Sequence, residues 1–346
     1  MHMADALISP AVGGAMWAAS AGIAAYAAKK VQTNLDDRKI PLMGVLGAFV
    51  FAAQMINFTI PGTGSSGHLG GGLLLAILLG PQAAFLTIAS ILTIQSLFFA
   101  DGGILALGCN IFNMGFLTCF VAYPFIYKPL TGTNPSQGRL FLGSVLAAVI
   151  GLQLGAFGVV LETLFSGISE LPFATFVLLM QPIHLAIGLV EGLVIAAVVL
   201  FIKKEAPEIL QKTAAGQPFG TISIKRVVLT LFIAALVIGG ALSWFASSDP
   251  DGLEWSIASV TGEDELKAPE GIHGFFAEIQ AKTAFLPDYN FSKPEEPAAT
   301  ASTDQEKAAW PSVDTGTSFA GIAGSLLTLA LAFSIGKGLR HLTSRG

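Results

Sequence analysis

Met1 and His2, and much further along His68 in Gly67-His68-Leu69-Gly70-Gly71-Gly72, have the types and spacing for metal chemistry. A free α-amine, the backbone nitrogen of residue 2 and the His2 imidazole close two small chelate rings on one cation and present three nitrogens in a plane. His68 is the candidate for the fourth. Planar nitrogen coordination suits Ni(II) or Cu(II), and Co(II) if the geometry relaxes, because imidazole-type ligands favour late first-row metals. Extension or cleavage at residue 1 would destroy such a site. The elements around it must therefore bring the start of the chain to His68.

Composition sets the medium. The chain of 346 residues is 53% hydrophobic and 12% charged, about half the charged fraction of a soluble domain, which predicts an all-α integral membrane protein. No cleavable signal is expected, since a signal needs basic residues before its apolar core, whereas Lys29 and Lys30 follow the first run. The two cysteines, Cys109 and Cys119, share one apolar run and supply neither a disulfide framework nor a CxxC motif.

A hydrocarbon core of ~30 Å takes about 20 apolar residues per helix. Nine runs read as spans, near 9–28, 41–58, 67–80, 82–100, 104–127, 140–165, 173–202, 227–246 and 318–337. Lys29, Lys30, Arg38 and Lys39 follow the first, Lys128 and Arg139 the fifth, Lys203, Lys204, Lys212, Lys225 and Arg226 the seventh, and Lys337, Arg340 and Arg345 the ninth. Positive residues favour the cytoplasmic side, so the amino terminus is expected outside and the carboxyl terminus inside a cell membrane. The third run is short and interrupted by Gly67, Gly70, Gly71 and Gly72. It either spans or re-enters, and irregular backbone at that depth must be buried by protein or solvated in a cavity. A short, glycine-interrupted span bearing a His points to a binding site, and the turn-rich segment 59–66 puts His68 on the same face as Met1.

Other polar residues lie inside spans. His184, Gly188 and Glu191 form one stripe on the seventh, and Gln95, Asn110, Asn113, Gln153, Glu162 and Gln181 are scattered through others. Most are expected to satisfy one another across helices. Ser66, Asn57, Gln95 and Asn113 are candidate partners for the second nitrogen of a metal-bound His. An ion-coupled carrier with Glu162, His184 and Glu191 as a proton relay is the competing reading. Small residues at four-residue spacing (Ala11, Ala15, Ala19; Gly151, Gly155; Gly188, Gly192) permit close helix approach.

Beyond the eighth span the composition changes. Residues 247–317 hold fourteen acids and four lysines, with a linker-like tract from Pro294 to Thr317. Residues 274–280 with Phe285 suggest an amphipathic helix lying on the membrane surface, with His273 a solvated surface residue. The expected division is 1–205, a metal-binding transmembrane domain; 206–226, a cytoplasmic linker; and 227–346, an accessory domain with spans 227–246 and 318–337 around the outer loop 247–317. Removing 247–346 is expected to leave metal binding intact.

Several ordered motifs carry a resemblance. Met1-His2-Met3-Ala4-Asp5, Phe51-Ala52-Ala53-Gln54-Met55-Ile56-Asn57-Phe58, Ser65-Ser66-Gly67-His68-Leu69-Gly70-Gly71, Leu78-Leu79-Gly80-Pro81, Gln95 with Phe99-Ala100-Asp101-Gly102-Gly103, Asn110-Ile111-Phe112-Asn113-Met114 and His184 through Gly192 resemble the CbiM/NikM family. These are the substrate-binding membrane components (S-components) of nickel and cobalt energy-coupling-factor (ECF) transporters. Asp249-Pro250-Asp251-Gly252-Leu253-Glu254 and Leu286-Pro287-Asp288-Tyr289 resemble the PDGLE domain. The resemblance implies a seven-helix bundle plus two further helices, with Ni2+ or Co2+ held as cargo by the amine and backbone nitrogen of the first two residues, the His2 side chain and His68. It also implies a transmembrane coupling protein, a pair of cytoplasmic ABC ATPases and a lipid bilayer as partners, with no nucleic acid and no enzymatic activity of the chain's own. No GxxxxGK[ST] pattern is present, in keeping with separate ATPases. Ala4-Asp5 and Ala6 depart from many relatives, which carry Gly at the sixth position.

Overall fold

The computed structural model describes residues 2–34, 37–263, 266–291 and 310–343. Met1 and most of the linker-like tract, 294–309, lie outside the described residues.

Six helices are long and apolar enough to cross a membrane. They are α1 (Pro10–Asn34), α4 (Pro81–Phe99), α5 (Leu107–Thr131), α6 (Gln137–Ser166), α7 (Phe173–Glu205) and α12 (Thr315–Thr343). Two apolar helices are shorter, α2 (Lys39–Gln54) and α9 (Lys225–Gly240), each of 16 residues. The chain is thus a multi-pass helical membrane protein, and its only sheet among the described residues is the hairpin β1 (Phe58–Ile60) with β2 (Ser65–Gly67).

The bundle closes around α2, whose residues are all buried except Pro41. Helices α4, α9 and α12 pack against it, and α9 and α12 also pack on each other. The carboxyl-terminal pair is therefore built into the bundle rather than set beside it. Helices α6 and α7 form the most extensive pair. Their backbones come close because a Cβ at Gly192 would sit 2.5 Å from Cα of Val145, so this small-residue stripe serves packing within the chain.

The third apolar run behaves differently from a helical span. Only α3 (Gly72–Leu79) is helical, eight residues long and wholly buried, and at 1.5 Å per residue it covers about 12 Å. Residues 68–71 lead into it without helix, ending on Gly71 in the left-handed region. The upper half of the run is thus not a helix. Gly71 at φ 79° starts α3, and a Cβ there would lie 2.3 Å from Val50, so only glycine fits the bend. Gly80 at φ 84° and Pro81 then end α3 and begin α4. At its lower end α3 rests on α8 (Pro207–Ala214), where the Thr213 hydroxyl donates to the Leu78 carbonyl at 3.0 Å.

The tract between α9 and α12 folds onto the end of the bundle that carries His2 and His68. It holds α10 (Gly252–Thr261), α11 (Ile272–Thr283) and a short turn, Pro287–Tyr289. The amphipathic helix expected over 274–280 is present, but its polar anchors go to protein. Gln280 donates to the carbonyls of Ser96 (2.9 Å) and Gly102 (2.8 Å), and Phe285 packs on Phe98 and Phe99. His273, expected in solvent, is 3% exposed and meets the Ile8 carbonyl through Nε2 at 2.8 Å.

Candidate metal site

The first residues are laid against the loop between α4 and α5. Asn110, at the start of α5, grips the backbone of Met3 at both edges: its Oδ1 accepts from Met3 N at 2.8 Å and its Nδ2 donates to Met3 O at 3.2 Å. Gly103 N donates to the same carbonyl at 2.9 Å, and Asp5 Oδ1 accepts from Ala106 N at 2.9 Å. Asp5 thus anchors the short turn Asp5–Leu7. These bonds fix where His2 points.

His68 arrives from the other direction on the extended half of the third run. Glu191, from α7, accepts from Gly70 N at 2.8 Å and Gly71 N at 3.0 Å, one carboxylate oxygen to each. Gln54 at the end of α2 donates to Gly70 O at 2.9 Å. Two amides that no helix satisfies thereby gain a buried acceptor each, and the loop is pinned directly below His68.

The two imidazoles meet. Their centroids are 4.9 Å apart and their planes differ by 7°. Each has an acidic neighbour: His2 Nδ1 lies 3.0 Å from Asp101 Oδ1, and His68 Nε2 lies 3.8 Å from Asp251 Oδ2. His68 Nδ1 meets the Leu69 carbonyl at 3.1 Å. A carbonyl only accepts, so Nδ1 carries the proton and Nε2 keeps the lone pair that a cation needs. At 3.8 Å the approach of Asp251 to Nε2 is longer than a hydrogen bond.

Asp101 is positioned by the end of α4, where Ala100 at φ 57° turns the chain and Asp101 N donates back to Gln95 O at 3.1 Å. Its second oxygen accepts the hydroxyl of Tyr289. Burial would raise the Asp101 pKa, but His2 beside it and the Tyr289 hydroxyl outweigh burial and hold it at about 2. Burial and the same carboxylate push the Tyr289 hydroxyl well above its ordinary range, so it stays a donor. Gln95 then links Tyr289 (3.2 Å) to Gln54 (3.0 Å), which completes a polar chain from His2 to the loop under His68.

The sequence candidates fall unevenly around this centre. His2 and His68 are brought together. Gln95 joins through Tyr289, and Asn57 lines the same cavity while its carbonyl accepts from Ser247 N at 2.7 Å. Ser66 turns its hydroxyl to the Asp249 carbonyl at 2.7 Å, tying β2 to the carboxyl-terminal tract, and Asn113 donates to Glu162 at 2.7 Å. Neither touches an imidazole. The acidic partners are Asp101 and Asp251, which sequence reasoning quoted only as motif letters. His184 bonds the Met180 carbonyl through Nδ1 at 2.8 Å. With Glu191 on glycine amides and Glu162 on Asn113, no hydrogen bond joins the three groups of the proton-relay reading among the described residues.

A cavity of about 520 Å3 opens over the two rings, lined among others by Asp5, Asp101, Asp251, Glu254 and Asp288, with no Lys or Arg in its lining among the described residues. No group of three or more His, Cys, Asp or Glu side chains converges as an ion cage among the described residues. What this site offers a cation is imidazole nitrogens beside backbone, under a carboxylate-rich mouth.

Residues 2–209 match the family described as "Cobalt uptake substrate-specific transmembrane region", CbiM, and residues 225–341 match the PDGLE domain. The chain belongs to the CbiM family. Relatives of this CbiM-family chain include an Archaeoglobus fulgidus chain bearing the name NikMN, 31% identical over 97% of this chain and 98% of that one. The fused nickel transport protein NikMN of Rhodobacter capsulatus is 31% identical over 84% and 88%, and the cobalt transport protein CbiM of Geobacter sulfurreducens 28% over 69% and 72%. A solved transition metal transporter superposes with a TM-score of 0.53 at 32% identity, over 61% of this chain and 97% of that one. This CbiM-family chain is a membrane transport component, not an enzyme. Its PDGLE part supplies Asp251 and Tyr289 to the surroundings of the two histidines.

Proposed function

We propose that the chain is the substrate-binding membrane component of an ATP-driven ECF uptake system for Ni2+ or Co2+, divided as 1–205, 206–226 and 227–346. The observation that carries this reading is the meeting of His2 and His68, 4.9 Å apart and nearly parallel, beneath an acid-lined cavity. The cation is bound as cargo by the Met1 amine, the backbone nitrogen and Nδ1 of His2, and Nε2 of His68. Nδ1 is the His2 nitrogen that closes a six-membered ring with the backbone nitrogen, so the incoming cation takes the place of the hydrogen bond to Asp101. The carboxylate then remains beside the site as a negative charge next to the cation.

The amino terminus faces outside a cell membrane and the carboxyl terminus the cytoplasm. A transmembrane coupling protein and a dimer of ABC ATPases drive release inward. The relatives named for nickel and for cobalt leave both metals in the proposal, since nitrogen donors accept either and geometry with availability discriminates. The test is metal uptake by cells expressing the complete transporter. Uptake lost with His2→Ala, with His68→Ala and with an inactive ATPase supports the assignment, and uptake that persists without any ATPase contradicts it.

A further inference from the structure

The cavity above the histidines has two tiers. Asp101 and Asp251 stand on its floor, next to His2 and His68 respectively. Glu254 and Asp288 line the same cavity but are exposed, at its mouth. Glu254 is bonded to a floor residue, and Asp288 adjoins one that is. Glu254 is the third residue of α10, and its Oε2 accepts from Asp251 N at 2.9 Å while Asp251 Oδ1 accepts from Glu254 N at 2.9 Å, a reciprocal cap that locks both carboxylates in place. Asp288 precedes Tyr289, whose hydroxyl bonds Asp101.

A second observation points to a polar occupant. The His2 side chain is 6% exposed, yet its Nε2 has no hydrogen-bond partner among the described residues although His2 lines this cavity. A buried ring nitrogen left bare calls for water or an ion. The space is adequate: water takes roughly 30 Å3 per molecule, so a cation with its inner shell of waters needs about 200 Å3, well inside the 520 Å3 present.

We propose that Glu254 and Asp288 form an outer loading station, which holds the hydrated divalent cation through its water shell before it reaches His2 and His68. This rests on the metal-site reading above. The station acts on capture. Carboxylates of one sign in a walled cleft raise the local cation concentration and the association rate by ~10- to 1,000-fold, whereas the nitrogens set how long the cation stays. The PDGLE part of the chain thereby supplies the entry charge for a site whose nitrogens come from the CbiM part.

The test is stopped-flow mixing of nickel chloride or cobalt chloride with the purified, untagged full chain and its Glu254→Gln/Asp288→Asn variant. Both changes keep shape, the new Gln keeps an acceptor for Asp251 N, and Asn tolerates the positive φ at residue 288. The expected result is association slowed roughly tenfold at low salt, with dissociation and the bound absorption spectrum as in wild type, and a difference that fades at high salt where screening is complete. Association equal to wild type overturns the loading station, as does an effect confined to dissociation. A wild-type chain that shows no metal-bound spectrum fails the metal-site reading instead, and His68→Ala run alongside separates the two.

Discussion

His2 Nδ1 lies 3.0 Å from Asp101, and Asp101 in turn accepts the hydroxyl of Tyr289 from the far end of the chain. The nitrogen that closes the chelate ring is thus already aimed by a carboxylate before a cation arrives, and that carboxylate is steadied by the PDGLE part. Loading replaces that hydrogen bond, so what Asp101 keeps for the bound cation is its charge, worth about 2 kcal/mol to a dication ~4 Å away in water-like surroundings. Asp101→Asn is expected to weaken metal binding by over ~tenfold, while Tyr289→Phe, which removes one hydrogen bond of about 1 kcal/mol, costs roughly fivefold. Calorimetric titration of both variants checks the order. A larger effect of Tyr289→Phe than of Asp101→Asn would reverse the direction of support.

How much of this was legible in the sequence depended on range. His2 and His68 could be put on one membrane face because lysine and arginine clusters orient spans, and the glycine-broken third run marked a place where backbone departs from helix. That only half of this run is helical was not readable, since composition does not tell eight helical residues from fourteen. Asp101 and Asp251 were hidden for another reason. Both sit in turns at helix ends, and only the docking of the 247–291 tract onto the bundle brings Asp251 to His68. His273 was misplaced by the same ignorance, because an amphipathic helix over a membrane and one over a protein surface have the same pattern. Asn110 stood among other intramembrane amides with nothing to single it out, although it is the residue that holds Met3.

Glu191 should matter through the loop it pins. Its carboxylate satisfies two buried amides at 2.8 and 3.0 Å, and losing both leaves orphaned donors at about 1–3 kcal/mol each. Glu191→Ala is expected to lower thermal stability clearly and to weaken metal binding with it, whereas Glu191→Gln, which keeps one acceptor, loses less of both. Melting curves and titrations on the two variants measure this. Full metal affinity in Glu191→Ala would detach the pinned loop from the site.

Acid sensitivity follows from Asp101. Its carboxyl, held at about 2 against a normal 3.8, contributes stability that is present above 3.8 and lost as pH falls toward 2. The metal-free protein should show a melting temperature that declines through that window, and Asp101→Asn should flatten the decline. An unchanged slope in Asp101→Asn would place the acid sensitivity elsewhere.

The most direct test of the central claim is metal analysis with an absorption spectrum on untagged, purified chain, set beside the same chain carrying one extra residue before Met1. The account predicts one cation per chain with the spectrum of a planar nitrogen site for nickel, and loss of both in the extended chain, because the amine ligand is displaced and the chelate rings no longer close. Equal binding and an identical spectrum in the extended chain would contradict it.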